Sequence, residues 1–282
     1  TRAAQYTGRA ARTGCATLPR MLMPAIAIVL YLAATALLWR GAAAGSQGRG
    51  WIPVSLLAVL FHAETHVEAW RLLQGPDMHF FAALSLTGIG MAALTAAFGA
   101  SGRMPALGIV VFPLAALSLL GYAAYGHADT ASTLDWRLQL HAWLALLAYA
   151  TLALAAVLAL FLMLQERALR RREFHRWLAA LPPLTELESL LFRSIAVGFA
   201  LLTATLLTGV LFVENLFAQH LVHKTVLSLL SWLAFGALLL GRWRRGWRGE
   251  TAVRWTLGAM ALLVLAFFGS KFVLELVLQR PG

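Results

Sequence analysis

Residues Ser194–Phe217 read SIAVGFALLTATLLTGVLFVENLF, and after the polar knot Ala218-Gln219-His220-Leu221 residues Val222–Gly241 read VHKTVLSLLSWLAFGALLLG. Each run is almost unbroken apolar sequence of about 20 residues, the length a helix needs to cross the hydrocarbon core of a bilayer. The basic stretch RWRRGWRGE at 242–250 separates this pair from a third apolar run. His223 and Lys224 open the second run, where a helix leaves the membrane surface. Packing between apolar helices requires neither an imidazole nor an ammonium there, so chemistry is expected at this end.

The rest of the chain has the same character. Of its 282 residues 60% are hydrophobic and 12% charged, against about 25% charged in a soluble domain. Too little polar surface exists to cover a water-soluble globule. Spanning backbone must satisfy its own hydrogen bonds, which predicts an all-α integral membrane protein. Apolar windows give about eight transmembrane helices, at 22–39, 52–72, 79–100, 104–125, 139–164, 194–217, 222–241 and 253–278. The long connection 165–193 contains Pro182-Pro183, and Glu166–Leu181 reads as an amphipathic piece on the membrane surface.

The net charge of +11 would suggest nucleic acid in a soluble protein. Here the arginines are read as topology determinants, and no nucleic-acid partner is expected. If 165–193 faces the cytoplasm, fourteen of the 23 basic residues lie on that side and both termini lie outside. Four of the remaining nine (Arg2, Arg9, Arg12 and Arg20) fall in residues 1–20, a stretch with no apolar period and no signal-peptide order. Residues 1–20 are expected to be a non-native or disordered extension, and 21–282 one polytopic domain. The single cysteine, Cys15, excludes an internal disulfide, a thiolate cluster and a CxxC pair.

With this topology the eight histidines sort unevenly between the two sides. His79, His127, His141, His220 and His223 lie at or near the outer face, and His175 alone is cytoplasmic. His62 and His66 lie inside the second span, four residues apart and so on one helix face. Glu68 is expected to pair with Arg71, and His66 to cap a water pocket or join a site. His62 has no evident charged partner, and a neutral imidazole at its depth suits iron ligation or proton carrying. His141 opens the fifth span above Ala145 and Ala148, which leave room beneath the ring for a flat macrocycle. His79 and His127 read as ordinary interface residues. A zinc site is disfavoured, because the histidines come from separate spans with no HExxH and no thiolate partner.

The order of several short pieces resembles a known family. Leu181-Pro182-Pro183-Leu184, Leu187-Glu188 and Phe192–Thr203 come first. Thr208-Gly209, Lys224-Thr225, Ser231-Trp232, Gly246–Gly249 and Phe267-Phe268-Gly269 then follow in sequence. Together they resemble the cytochrome c assembly membrane proteins (CcsA/CcmC-type haem-handling proteins), and most closely the eight-helix HemX/YpjD-like branch. The family core falls at about 181–278.

The resemblance implies haem handling at the outer face of a bacterial inner membrane. It implies family histidine positions at His141 and His62, with His223 in a His-Lys-Thr position. The tryptophan-rich WWD segment expected between spans six and seven is replaced by Glu214–His223, and the second outer histidine is replaced near Leu278. Cytochrome c ligation is therefore not expected, whereas binding of haem b, one or two per chain, remains.

The expected site comprises His62, His66, His141, His223, Lys224 and Trp143. His141 and His223 would be paired on iron, and His62 would serve a second, intramembrane site. Lys224 would neutralise a propionate, with stacking on Trp143, Phe217 or Trp232. Expected partners are lipid, haem, and cytochrome assembly components or an apocytochrome. The alternatives are a membrane electron-transfer cytochrome b and a haem-free regulatory or scaffold subunit.

Overall fold

The computed structural model describes residues 3–44, 48–100, 106–125, 135–172, 182–212, 219–269 and 272, side chains excepted at 3–20, 100 and 219–221. Every element described is helical. The order is α1 (Ala3–Ala44), α2 (Trp51–Leu73), α3 (Phe80–Ala100), α4 (Ala106–Tyr125), α5 (Trp136–Arg170), α6 (Leu184–Phe212), α7 (Gln219–Arg245) and α8 (Gly249–Val264), the last continued by a π-helical turn, Leu265–Gly269. The backbone of α1 runs without a break past residue 20.

The described residues form eight α-helices, one for each expected span, but they are not equally apolar. Among the described residues seven helices are long and apolar enough to cross a membrane, and α2 is not one of them. Its 23 residues would reach about 34 Å, but it carries His62, Glu64, His66, Glu68 and Arg71. It nonetheless covers the same depth as α1. Leu38 clusters with Trp51 at one end, the Tyr31 hydroxyl meets His62 in the middle, and Ala27 clusters with Ala69 at the other end. The two helices are therefore antiparallel neighbours.

Two boundaries also move. The fifth helix extends from the expected 139–164 to Trp136–Arg170, and absorbs the start of the segment expected to lie on the membrane surface. Asp135 caps it by accepting from the Trp136 amide at 2.8 Å. The sixth begins ten residues before the expected Ser194, because Pro182 and Pro183 mark its start and Leu184 its first turn.

The helices pack around one large buried cluster and two smaller ones, and α3 and α4 contribute to all three. α5 is the axis of the larger one, where Leu152, Leu154, Leu158 and Leu162 are almost wholly buried among residues of α3, α6, α7 and α8. One of the smaller clusters joins α1, α2, α3 and α4 around Tyr31 and Phe112. Large apolar side chains such as Leu60, Leu117 and Val210 stay more than 60% exposed, as expected where lipid is the solvent.

One polar knot ties the end of the bundle opposite the histidines. Glu188 of α6 is 3% exposed. Its carboxylate accepts from Arg248 Nε at 3.0 Å and from the Gly249 amide at 3.0 Å. Gly249 has φ +53°, and a Cβ there would meet Glu166 Oε1 at 2.4 Å, so this turn requires glycine. Glu188→Ala is expected to cost about 2 kcal/mol, the scale of lost charge-assisted bonds and a stranded amide. Thermal unfolding of the detergent-solubilised protein measures it, and an unchanged midpoint would show that the knot contributes nothing.

A histidine-lined outer cleft as candidate functional site

His141 stands in the second turn of α5, near the end of the bundle where α5 starts and α6 finishes. Its Nδ1 lies 3.1 Å from Thr208 Oγ1. The Thr208 hydroxyl has one proton, which it donates to the Ala204 or Thr205 carbonyl, each at 2.9 Å. With that proton on a carbonyl the hydroxyl accepts from His141 Nδ1–H, which leaves Nε2 as the lone-pair nitrogen of the ring. This is the arrangement in which a neighbour fixes the tautomer of a metal-binding imidazole. Gly209 permits the approach, since a Cβ there would sit 3.2 Å from His141 Cε1.

Two cavities meet at this ring. One of about 270 Å³ lies between α5, α6, α7 and α8, with Thr205, Gly209, Lys224, Thr225 and Ser228 in its lining. The other, about 230 Å³, is bounded by Met78, Leu138, Ala142, Leu146 and Phe268. His141, Ala145, Tyr149 and Phe267 line both. Either volume alone falls below the roughly 300 Å³ at which small-molecule pockets begin, and the two joined fall within that range. The Tyr149 hydroxyl donates to the Leu263 carbonyl, just before the π turn that carries Phe267 and Phe268 into the cleft.

The other expected site residues are placed differently. Lys224 lines the larger cavity; His223, the next residue back, is exposed and lines neither. Trp143 is 37% exposed and stacks on Trp70 with ring centroids 6.3 Å apart, outside the cleft. Trp232 donates its indole N–H to Thr203 Oγ1 and stacks on Phe199. His127, His175 and Phe217, the replaced segment up to Ala218, and the region of Leu278 lie outside the described residues.

His62 and His66 belong to a second polar cluster, and neither lines the two cavities. His62 is fully buried, with Nδ1 3.2 Å from the Tyr31 hydroxyl and Nε2 2.8 Å from Ser85 Oγ. His66 Nε2 reaches the same serine at 3.0 Å. Tyr31, His62, Ser85 and His66 form one hydrogen-bonded run, whose donor direction follows the tautomer of His62. Tyrosine and serine hydroxyls from neighbouring helices thus occupy both ring nitrogens of His62.

Beyond His66 the Tyr122 ring stacks at 4.6 Å, and its hydroxyl donates to Asp77, whose other oxygen lies 2.6 Å from His79 Nδ1. His79 is therefore tied to a buried carboxylate and is not a plain interface residue. The expected Glu68–Arg71 pair is also corrected, because Arg71 reaches Glu64 at 3.2 Å.

Sequence reading missed Thr208, Gly209, Tyr149 and Phe267 as cleft residues. The signal for two of them was present in the Thr208-Gly209 pair, where a hydroxyl and a missing Cβ adjoin on an apolar helix. Nothing in the spacing indicated that α8 would end in a π turn.

Fold and cleft together define a polytopic helical membrane protein with an apolar, histidine-bearing cleft at one end of its bundle. The profile of the family described as "Cytochrome C assembly protein" matches residues 51–278, and the chain belongs to that family. It is 36% identical over 137 residues to the inner membrane protein YpjD of Escherichia coli K12, covering 49% of this chain and 52% of that one. To an uncharacterised 28.8 kDa protein of Azospirillum brasilense it is 40% identical over 143 residues, covering 50% of this chain and 53% of the relative. The cytochrome c biogenesis protein CcsA of Prochlorococcus marinus (strain MIT 9515) is 31% identical over 90 residues, covering 31% of this chain and 29% of CcsA. The chain thus spans about half the length of the first two relatives and less of the third. No solved structure matches it.

Proposed function

We propose that this chain is a haem-binding protein of the bacterial inner membrane that holds b-type haem at its outer face and hands it on during cytochrome assembly. One observation carries the reading. His141 has its Nδ1 committed to Thr208, and it stands at the junction of two apolar cavities. The donor set suits the cofactor. His141 would bind iron through Nε2, Ala145 and Gly209 leave space beside the ring, and Lys224 can neutralise a propionate as a flexible point charge. Bound haem would supply an iron centre with open axial chemistry; the chain supplies the ligand, an apolar wall and an interfacial cation. Similarity to CcsA, whose name states cytochrome c biogenesis, and to an inner membrane YpjD supports the location and the pathway. An absorption spectrum of the protein purified from haem-supplied membranes tests the proposal. A Soret band is expected, and its absence would leave a haem-free scaffold as the reading.

The topology proposed with this function puts both termini and the cleft outside the cytoplasm. It rests on α2 as an eighth crossing and on the arginines around 165–193 and 242–252. In single-cysteine variants lacking Cys15, an impermeant reagent applied to whole cells is expected to label position 219 and spare position 172. The opposite pattern would overturn it.

A further inference from the structure

Helix α8 leaves α-helical hydrogen bonding at a point where its own sequence gives no reason to. Residues 259–268 read AMALLVLAFF, with neither proline nor glycine, yet a π turn begins at Leu265. Without those residues, such a departure arises where a foreign group enters the hydrogen-bond ladder. That group is present. In an α-helix the Leu263 carbonyl accepts from the Phe267 amide, four residues on. Here the Tyr149 hydroxyl donates to that carbonyl and accepts from that amide, so one phenol from α5 stands in a rung of α8.

The same tyrosine stands where the cleft is divided. His141, Ala145 and Tyr149 recur every fourth residue and share one face of α5. Tyr149 and Phe267 line both the 270 Å³ and the 230 Å³ cavity, with ring centroids 5.8 Å apart. Phe268 meets Tyr149 edge-to-face at 5.5 Å. We propose that Tyr149 is a latch on this cleft. Its hydroxyl holds the end of α8 in the π form, which keeps Phe267 between the two cavities it lines. Withdrawal of the hydroxyl lets the turn revert to α-helix and joins the cavities into one space. Reversion moves Phe267 and Phe268 by up to one residue position, about 100° around the helix axis. The rung restored between Leu263 and Phe267 offsets the bonds that the hydroxyl gives up, so both forms are accessible and a ligand can select between them. The inference goes beyond the haem-binding reading, because it concerns the shape of the cleft and holds for any occupant.

The test measures access to the cleft in the full chain, purified without added ligand. In a Cys15→Ser background, Ala145→Cys places a thiol on the lining common to both cavities. Its modification is timed with a small methanethiosulfonate and with a bulky maleimide, with and without Tyr149→Phe. Phenylalanine keeps the ring and loses the hydroxyl. The bulky reagent is expected to react about fivefold faster in Tyr149→Phe, the equivalent of about 1 kcal/mol for one buried hydrogen bond. Phe267→Ala, with the latch intact, should speed the bulky reagent as well, and adding Tyr149→Phe should then give no further gain. Equal rates for the bulky reagent with and without the hydroxyl would overturn the inference. So would an equal gain for the small reagent, which reports general loosening, or gains that add in the double variant. An Ala145→Cys thiol that reacts with neither reagent, or a structure of Tyr149→Phe that keeps the π turn, would overturn it too. None of these outcomes depends on haem uptake, so the functional reading stands or falls separately.

Discussion

His141→Ala protein is expected to bind haem at least about 100-fold more weakly than wild type, read as loss of the Soret band at matched haem concentration. Removing even an outer-shell partner of a metal ligand costs about 10–100-fold, and here the ligand itself is lost. Alanine also enlarges the space where the two cavities meet, so room for the macrocycle is retained while the anchor is not. Lys224→Ala should weaken binding less, since a partly exposed charge pair is worth about 1 kcal/mol or below. His141→Ala and His223→Ala proteins that both keep full haem with unaltered spectra would show that iron sits elsewhere.

The second large effect is expected far from any ligand. A Cβ on Gly198 would lie 2.5 Å from Leu152 Cδ2, 2.6 Å from its Cγ and 3.5 Å from its backbone nitrogen. Leu152 is fully buried on the central helix, so it has little room to retreat. Gly198→Leu should therefore push α6 off α5, at a cost of about 3 kcal/mol or more, the upper range for an overpacked core. Yield of monodisperse protein and its unfolding temperature report the loss. Shortening the opposing side chain in the double variant Leu152→Ala/Gly198→Leu should restore part of it, because contacting sites are not additive. A single variant as stable as wild type would mean that α5 and α6 do not depend on this close approach.

The helical membrane class was readable from composition, because 12% charged residues cannot cover a soluble globule of this size. His141 and Lys224 were also readable: an imidazole and an ammonium entering apolar helices at one side have few uses in packing. The role of His223 was not, because adjacent residues on a helix point about 100° apart. Only the rotation of α7 in the assembled bundle decides which of the two faces the cleft. The partners of His62 were hidden for a related reason. Tyr31 and Ser85 lie 31 and 23 residues away in sequence, on helices whose apolar patterns are nearly uniform around the axis.

The buried run of donors from Tyr31 through His62 to Ser85 has a consequence for time as well as for structure. Its labile hydrogens sit where water does not reach, and each is held by a partner on a different helix. In heavy water they can be replaced only when α1, α2 and α3 part, so their exchange lifetime is a clock for the opening of that half of the bundle. The ring hydrogen of His141, beside an open cleft, keeps no such record. One isotope experiment on two histidines would therefore separate how often the cleft is visited by solvent from how often the bundle beside it comes apart.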